Sequence, residues 1–162
     1  MKSELQDLID ECTAEINDIE TRIADMPALD KGVRYLTYYA LMKTSGITEF
    51  VYRSIVADYF SMLSDSRIDT YLDVAVRGGS MSAKYEMMQQ LLGKFDDQWK
   101  KNFQNAVKAR PDKERLISAS NSLVSNRHSF AHGKAPTATF SDIKNYYFDV
   151  LELIKIFDSV VC

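Results

Sequence analysis

Residues 112–133 read DKERLISASNSLVSNRHSFAHG, and the spacing of their apolar side chains decides the fold class. Leu116, Ile117, Ser120, Leu123 and Val124 recur at the three- and four-residue intervals of one helix face. Asp112 stands where a helix cap belongs, and Gly133 where a helix ends. Arg127 lies four residues after Leu123, three after Val124 and four before Ala131, which puts it in the apolar stripe. A guanidinium keeps its proton in proteins, and burying it unpaired is strongly unfavourable. It therefore requires a carboxylate, a cleft open to water or a bound phosphate. A structural ion pair with an inward acid, Asp58 or Glu49, is the alternative to a functional role.

His128 and His132 are the only histidines of the chain, and their four-residue spacing places them on one helix face. Both fall in the last turns before Gly133, where the helix dipole favours a cationic side chain; the neighbouring Arg127 opposes one. Histidine is the residue type whose charge ordinarily changes near neutral pH, as general acid–base chemistry needs. The structural alternatives are a helix-ending residue for His132 and a surface polar residue for His128. Two histidines at this spacing can bind zinc, but the HExxH pattern is absent and no cysteine is close in sequence. No metal or cofactor is expected.

Outward from this segment the chain reads as more helices. Leu5, Ile9, Cys12, Ile16, Ile19, Ile23 and Met26 form a single seam at heptad spacing, in a helix from about Ser3 to Asp25 stopped by Pro27. Ser3 is its expected cap. The seam suits packing on a bundle, or pairing with a second subunit or a partner protein. LDKGVRYLTYYALMK (residues 29–43) is helical by Val33, Leu36, Ala40 and Leu41, and Gly46 interrupts or bends it. A helix from Thr48 to Met62 carries Val51, Ile55, Asp58 and Met62 on one face, with Glu49 at its start. Shorter helices are expected over Ile68–Val76, after Ser82 as cap, and after Asp96 or Asp97. The last helix, from Ser141, presents Phe140, Ile143, Tyr147, Val150, Ile154, Phe157 and Val161 on a broad stripe that must be buried.

Composition agrees with one compact all-α domain over residues 1–162. Hydrophobic residues make up 46% and charged residues 27%, and six Gly and three Pro leave room for long helices. The net charge of −3 excludes a protein that coats nucleic acid by bulk charge. Lys94–Arg115 does hold seven basic against four acidic residues, with Trp99 and Phe103 interleaved, which fits either an RNA-contacting surface or a solvated helix face. Cys12 and Cys162, at opposite ends, form no disulfide framework and fit a reducing cytoplasm. Acidic residues in MKSELQDLID argue against a signal peptide, and no apolar run is long enough to span a membrane.

SNRHSFAHG (Ser125–Gly133) resembles the signature of HEPN domains: Arg, a polar residue, three further residues and His. Arg127, His128 and His132 occupy its three defined positions. Three further stretches resemble the RiboL-PSP-type HEPN subgroup. These are the Glu-bearing helix SGITEFVYRSIVADYF (Ser45–Phe60), the segment SAKYEMMQQLLGKFDDQW (Ser82–Trp99), and the turn and closing helix AHGKAPTATFSDIKNYYFDVLELI from Ala131. The resemblance covers residues 35–161 and leaves the seam helix, residues 1–26, as an N-terminal addition.

The resemblance implies an all-α HEPN-like bundle that forms a homodimer with two motif helices facing one cleft. It implies a metal-independent endoribonuclease, commonly a toxin or phage-defence effector restrained by an antitoxin or other partner protein. Arg127 and His132 are then the catalytic pair, His128 the supporting polar residue and Glu49 the residue that orients Arg127. Inactive members of the family act instead as RNA-binding or dimerisation modules. A plain adaptor pairing through the Leu5–Met26 seam is the reading furthest from that family.

Overall fold

The computed structural model of the chain describes residues 1–27, 30–61 and 66–161. Leu29, Met62 and Cys162, which entered the sequence reading, lie outside them. Among the described residues every regular element is helical: α1 (Ser3–Ala24), α2 (Lys31–Ser61), α3 (Ser66–Leu72) running into a π-helical turn (Asp73–Arg77), α4 (Tyr85–Phe95), α5 (Asp97–Lys108), α6 (Lys113–Ala131) and α7 (Phe140–Val160). The expected all-α architecture is the one observed.

The apolar spacing translates directly into packing. From α7, Phe140, Ile143, Tyr147, Val150, Leu151, Leu153, Ile154, Phe157 and Val160 are buried, and the helix lies between α2 and α6. Each fully buried side chain of this kind contributes roughly 1.5–3 kcal/mol relative to exposure. Phe157 stands edge-on to Tyr52 of α2 and to Phe103 of α5, both with ring centres 5.7 Å away, so α7 ties the two halves of the bundle together.

The seam of α1 is used inside the chain. Leu5, Ile9, Cys12, Ile16 and Ile19 are buried, and α1 packs along α2. It is also joined to α7. The buried Tyr147 hydroxyl donates to the Ile9 carbonyl at 3.1 Å and accepts from the Thr13 hydroxyl at 3.1 Å. A seam consumed in this way is not available to the adaptor envisaged above.

Several expected boundaries differ, each for a local reason. Gly46 neither breaks nor ends a helix, because α2 runs through it for 31 residues. Thr44, Ser45, Thr48 and Val51 around it are buried, and their packing outweighs the helix cost of about 1 kcal/mol for one glycine. The buried threonines satisfy their hydroxyls on the helix itself, Thr44 donating to the Ala40 carbonyl and Thr48 to that of Thr44. Ser3 is the first residue of α1 and bonds Glu4 rather than capping the helix. Ser82 does not cap α4, which starts at Tyr85: the Tyr52 hydroxyl donates to the Met81 and Ser82 carbonyls and holds them outside the helix. Asp96 does cap α5, accepting from the Gln98 and Trp99 amides. Asp112 flanks α6 but gives its carboxylate to Arg110 and Arg115. The last helix begins one residue early, at Phe140, behind a reciprocal capping box of Thr139 and Asp142.

Candidate active site

The C-terminal end of α6 gathers the residues singled out above. The helix stops at Gly133, whose φ of 75° is the one positive φ among the described residues. The Lys134 amide donates back to the Ser129 carbonyl at 2.9 Å, and the Gly133 amide to that of Phe130 at 3.0 Å. This Schellman turn makes His132 the C-cap residue and fixes its backbone. The rings of His128 and His132 lie against one another with centres 4.2 Å apart, and both residues are exposed.

Arg127 reaches from α6 to α2, where its Nη2 donates to Oε2 of Glu49 at 3.3 Å. The two partners are very differently placed. The Arg127 side chain is 36% exposed, that of Glu49 only 11%. The apolar stripe of α6 therefore ends at Val124, and Arg127 sits at its rim rather than within it; Ala131, one turn on, is exposed. Oε1 of Glu49 is buried and accepts no hydrogen bond among the described residues. Burial pushes the Glu49 carboxyl above its ordinary range, against the pull of Arg127 and Arg53. Asp58, the other acid considered for Arg127, is taken by Arg77 and by Lys2.

Beside this pair runs an open groove of about 510 Å³ lined by Ser82, Lys84, Val124, Arg127, His128 and Ser129 among others. His132 does not line it but flanks it through the ring of His128. The groove offers two cations, Lys84 and Arg127, against one carboxylate, Glu86, together with small hydroxyl residues, a balance that leaves it able to take an anionic backbone. The Phe130 ring rests on Tyr38 of α2 at 4.8 Å, so the end of α6 is seated by a second contact besides the ion pair.

Two contributors carry no pattern in the sequence. Lys84 comes from the loop before α4, far from the motif in the chain. Asn126 accepts at Oδ1 from the Thr137 and Ala138 amides at 3.0 and 3.1 Å and donates through Nδ2 to the Ser122 carbonyl. It pins the loop that follows the motif back onto α6. The basic stretch Lys94–Arg115 loses its appeal as a stacking surface, because Trp99 and Phe103 are buried. Among the described residues no group of three or more His, Cys, Asp or Glu is arranged to hold a metal ion, and no helix is long and apolar enough to cross a membrane. Cys12 is buried in the core, which pushes its thiol up.

No curated protein and no solved structure matches the chain. The sequence profile of the RiboL-PSP-HEPN family does, over residues 3–162, a span that takes in α1 as well as the motif helices. HEPN domains have RNase and RNA-related roles. The Arg–His motif at the end of α6, the Glu-bearing α2 and that match over nearly the whole chain converge: this protein belongs to the RiboL-PSP-HEPN family.

Proposed function

We propose that the protein is a metal-independent endoribonuclease of the cytoplasm, working as a homodimer and serving as a toxin or defence effector that a partner protein restrains. The observation that carries this reading is the pairing of a rim-exposed Arg127 with the buried Glu49, next to two exposed histidines and a groove with a second cation. The ion pair engages Nη2 of a guanidinium whose side chain stays 36% exposed. The guanidinium stabilises the extra negative charge of a phosphate under attack. His132 moves protons, His128 supports its ring, and Glu49 orients Arg127.

One histidine does not readily serve as base and acid in the same step. Two copies of His132 in one cleft, one unprotonated and one protonated, supply both. Incubating the purified protein with RNA in EDTA, beside His132→Ala, tests the reading. Cleavage by the wild type alone supports it. RNA binding without cleavage by either would make the chain a non-catalytic RNA-binding module.

A further inference from the structure

The outward face of α2 carries a row of apolar side chains that the described residues leave largely uncovered, with only the Tyr39 hydroxyl engaged, donating to Glu15 of α1. Tyr35 is 60% exposed, Tyr39 46%, Met42 40% and Phe50 37%. Gly46 sits among them with nothing within 4 Å of where a Cβ would stand. Exposed large apolar side chains otherwise appear mostly on α3 and the π-turn, as Ile68, Tyr71 and Val74.

The order of this row is informative. Tyr39, Met42, Gly46, Phe50 and Arg53 follow one another at intervals of three, four, four and three residues. The intervals read the same in both directions from Gly46, and such a row complements itself under a two-fold axis. When a second α2 crosses antiparallel at Gly46, Met42 meets Phe50 of the second copy, a favourable sulfur–aromatic pair. Tyr39 likewise meets Arg53 of the second copy, a cation over a ring. Arg53 is suited to that role: its Nε donates to the Glu49 carbonyl at 2.8 Å, and among the described residues its guanidinium forms no ion pair. Glycine at the crossing point lets the two backbones approach closely.

We infer that this row is the homodimer contact, with the two α2 helices crossing antiparallel at Gly46. The inference rests on the reading above that two copies share one catalytic cleft, and it supplies the geometry for it. An antiparallel two-fold keeps each flank of the row on the same side in both copies, whereas a parallel one sends them to opposite sides. One flank holds Lys43, paired with Glu15 of α1 at 2.8 Å. The other holds Tyr38 and Glu49, which seat Phe130 and Arg127. Both copies of the end of α6 therefore fall on one side of the crossing. Glu49 is three residues from Gly46, about 4.5 Å along the axis, so the two Glu49 residues lie about 9 Å apart in that direction.

Sedimentation velocity at roughly 50 µM tests the contact through Gly46→Glu. Open space at Gly46 accommodates the new side chain in a single copy, so helical CD should not fall, nor should the thermal midpoint at a dilution where neither protein associates. In the dimer it sets two like charges and two added side chains face to face. The expected result is a wild-type dimer and a folded variant whose association is at least tenfold weaker. A wild-type monomer, or a Gly46→Glu variant as dimeric as the wild type, would overturn the inference. A second measurement does not depend on disrupting anything. In a Cys162→Ser background, Gly46→Cys should cross-link to itself with a short bis-maleimide and Tyr35→Cys should not. The reverse result would also overturn it. RNA cleavage is read separately: a monomer that cleaves sinks this contact and leaves the nuclease standing, and a dimer crossing at Gly46 that never cleaves does the opposite.

Discussion

Arg127 and Glu49 join α6 to α2 at 3.3 Å, and they do so through one oxygen of a carboxylate whose other oxygen is buried and has no partner among the described residues. The pair is lopsided, since the arginine is well open to water and the glutamate is nearly buried. Arg127→Ala should therefore do two separable things. It should abolish RNA cleavage, and it should strand a buried carboxylate, at a cost of roughly 1–3 kcal/mol. Adding Glu49→Gln to Arg127→Ala should recover much of that stability and none of the cleavage, as urea melts and an RNA digest would show. Arg127→Lys should also fail to cleave, because a point charge does not replace a planar fork that grips two phosphate oxygens. Cleavage surviving in Arg127→Ala would leave the arginine with a structural role only.

The same carboxylate makes stability depend on pH. Burial raises the Glu49 pKa above its ordinary 4.5, so the folded protein holds this proton more tightly than the unfolded chain. Between 4.5 and the folded value the native state binds more protons, and stability falls as pH rises through that window. Below it the contribution costs nothing, and above it the cost is complete. Glu49→Gln should then gain stability relative to wild type as pH goes from about 4 to 7.5, with a small difference at the acidic end. A variant whose deficit relative to wild type grows from the acidic to the neutral pH would mean the ion pair outweighs the burial.

How much of this was legible beforehand varies with the kind of information involved. Helices whose apolar residues keep the three–four rhythm, α1, α5, α6 and α7, lie where the pattern puts them, because burial of one face is what forms them. The motif residues Arg127, His128 and His132 are close in sequence and share a helix end, so their neighbourhood followed from the period alone. Glu49 lies 78 positions from Arg127; its partnership entered as one of two candidate acids, and only packing of α2 against α6 separates it from Asp58. The failures are tertiary. Tyr52 overrides the capping tendency of Ser82, and Arg110 and Arg115 draw Asp112 away from its helix. Lys84 reaches the groove through a loop whose course no local pattern encodes.

His132 and His128 are exposed and spend nothing on the core, so replacing either with alanine should change stability by no more than about 0.5 kcal/mol. His132→Ala should nonetheless abolish cleavage, and His128→Ala should weaken it less. Far-ultraviolet CD and a thermal melt establish the first half, a timed digest the second. Equal loss in both variants would make the histidines one unit rather than a catalytic residue and its support.

Gly133 is a backbone requirement on the same site. Its φ of 75° lies where a Cβ is strained, so Gly133→Ala should cost about 1–2 kcal/mol. Since the turn it closes fixes His132, cleavage should fall by more than the loss of folded protein explains. Activity scaled to the folded fraction, measured well below the melting temperature, checks this. Unchanged specific activity would show that His132 does not need the turn.

The chemistry of the cut is the most discriminating test of the proposed mechanism. A protein whose own groups do the work, Arg127 on the phosphate and His132 on the protons, needs a nucleophile, and RNA carries one in its 2′-hydroxyl. A base takes the hydroxyl proton, the oxygen attacks the adjacent phosphorus, and an acid gives a proton to the departing 5′-oxygen. Atoms balance without water entering this step, so the products are a 2′,3′-cyclic phosphate and a 5′-hydroxyl. Cleavage should persist in EDTA. It should stop on an oligonucleotide with a single 2′-deoxy sugar at the cut, while a deoxy sugar one step away is tolerated. Mass spectrometry of the fragments reads the ends directly. A 5′-phosphate product, or a strict need for magnesium after thorough chelation, would require a different nucleophile and would remove His132 from the role of base, even with the protein established as a nuclease.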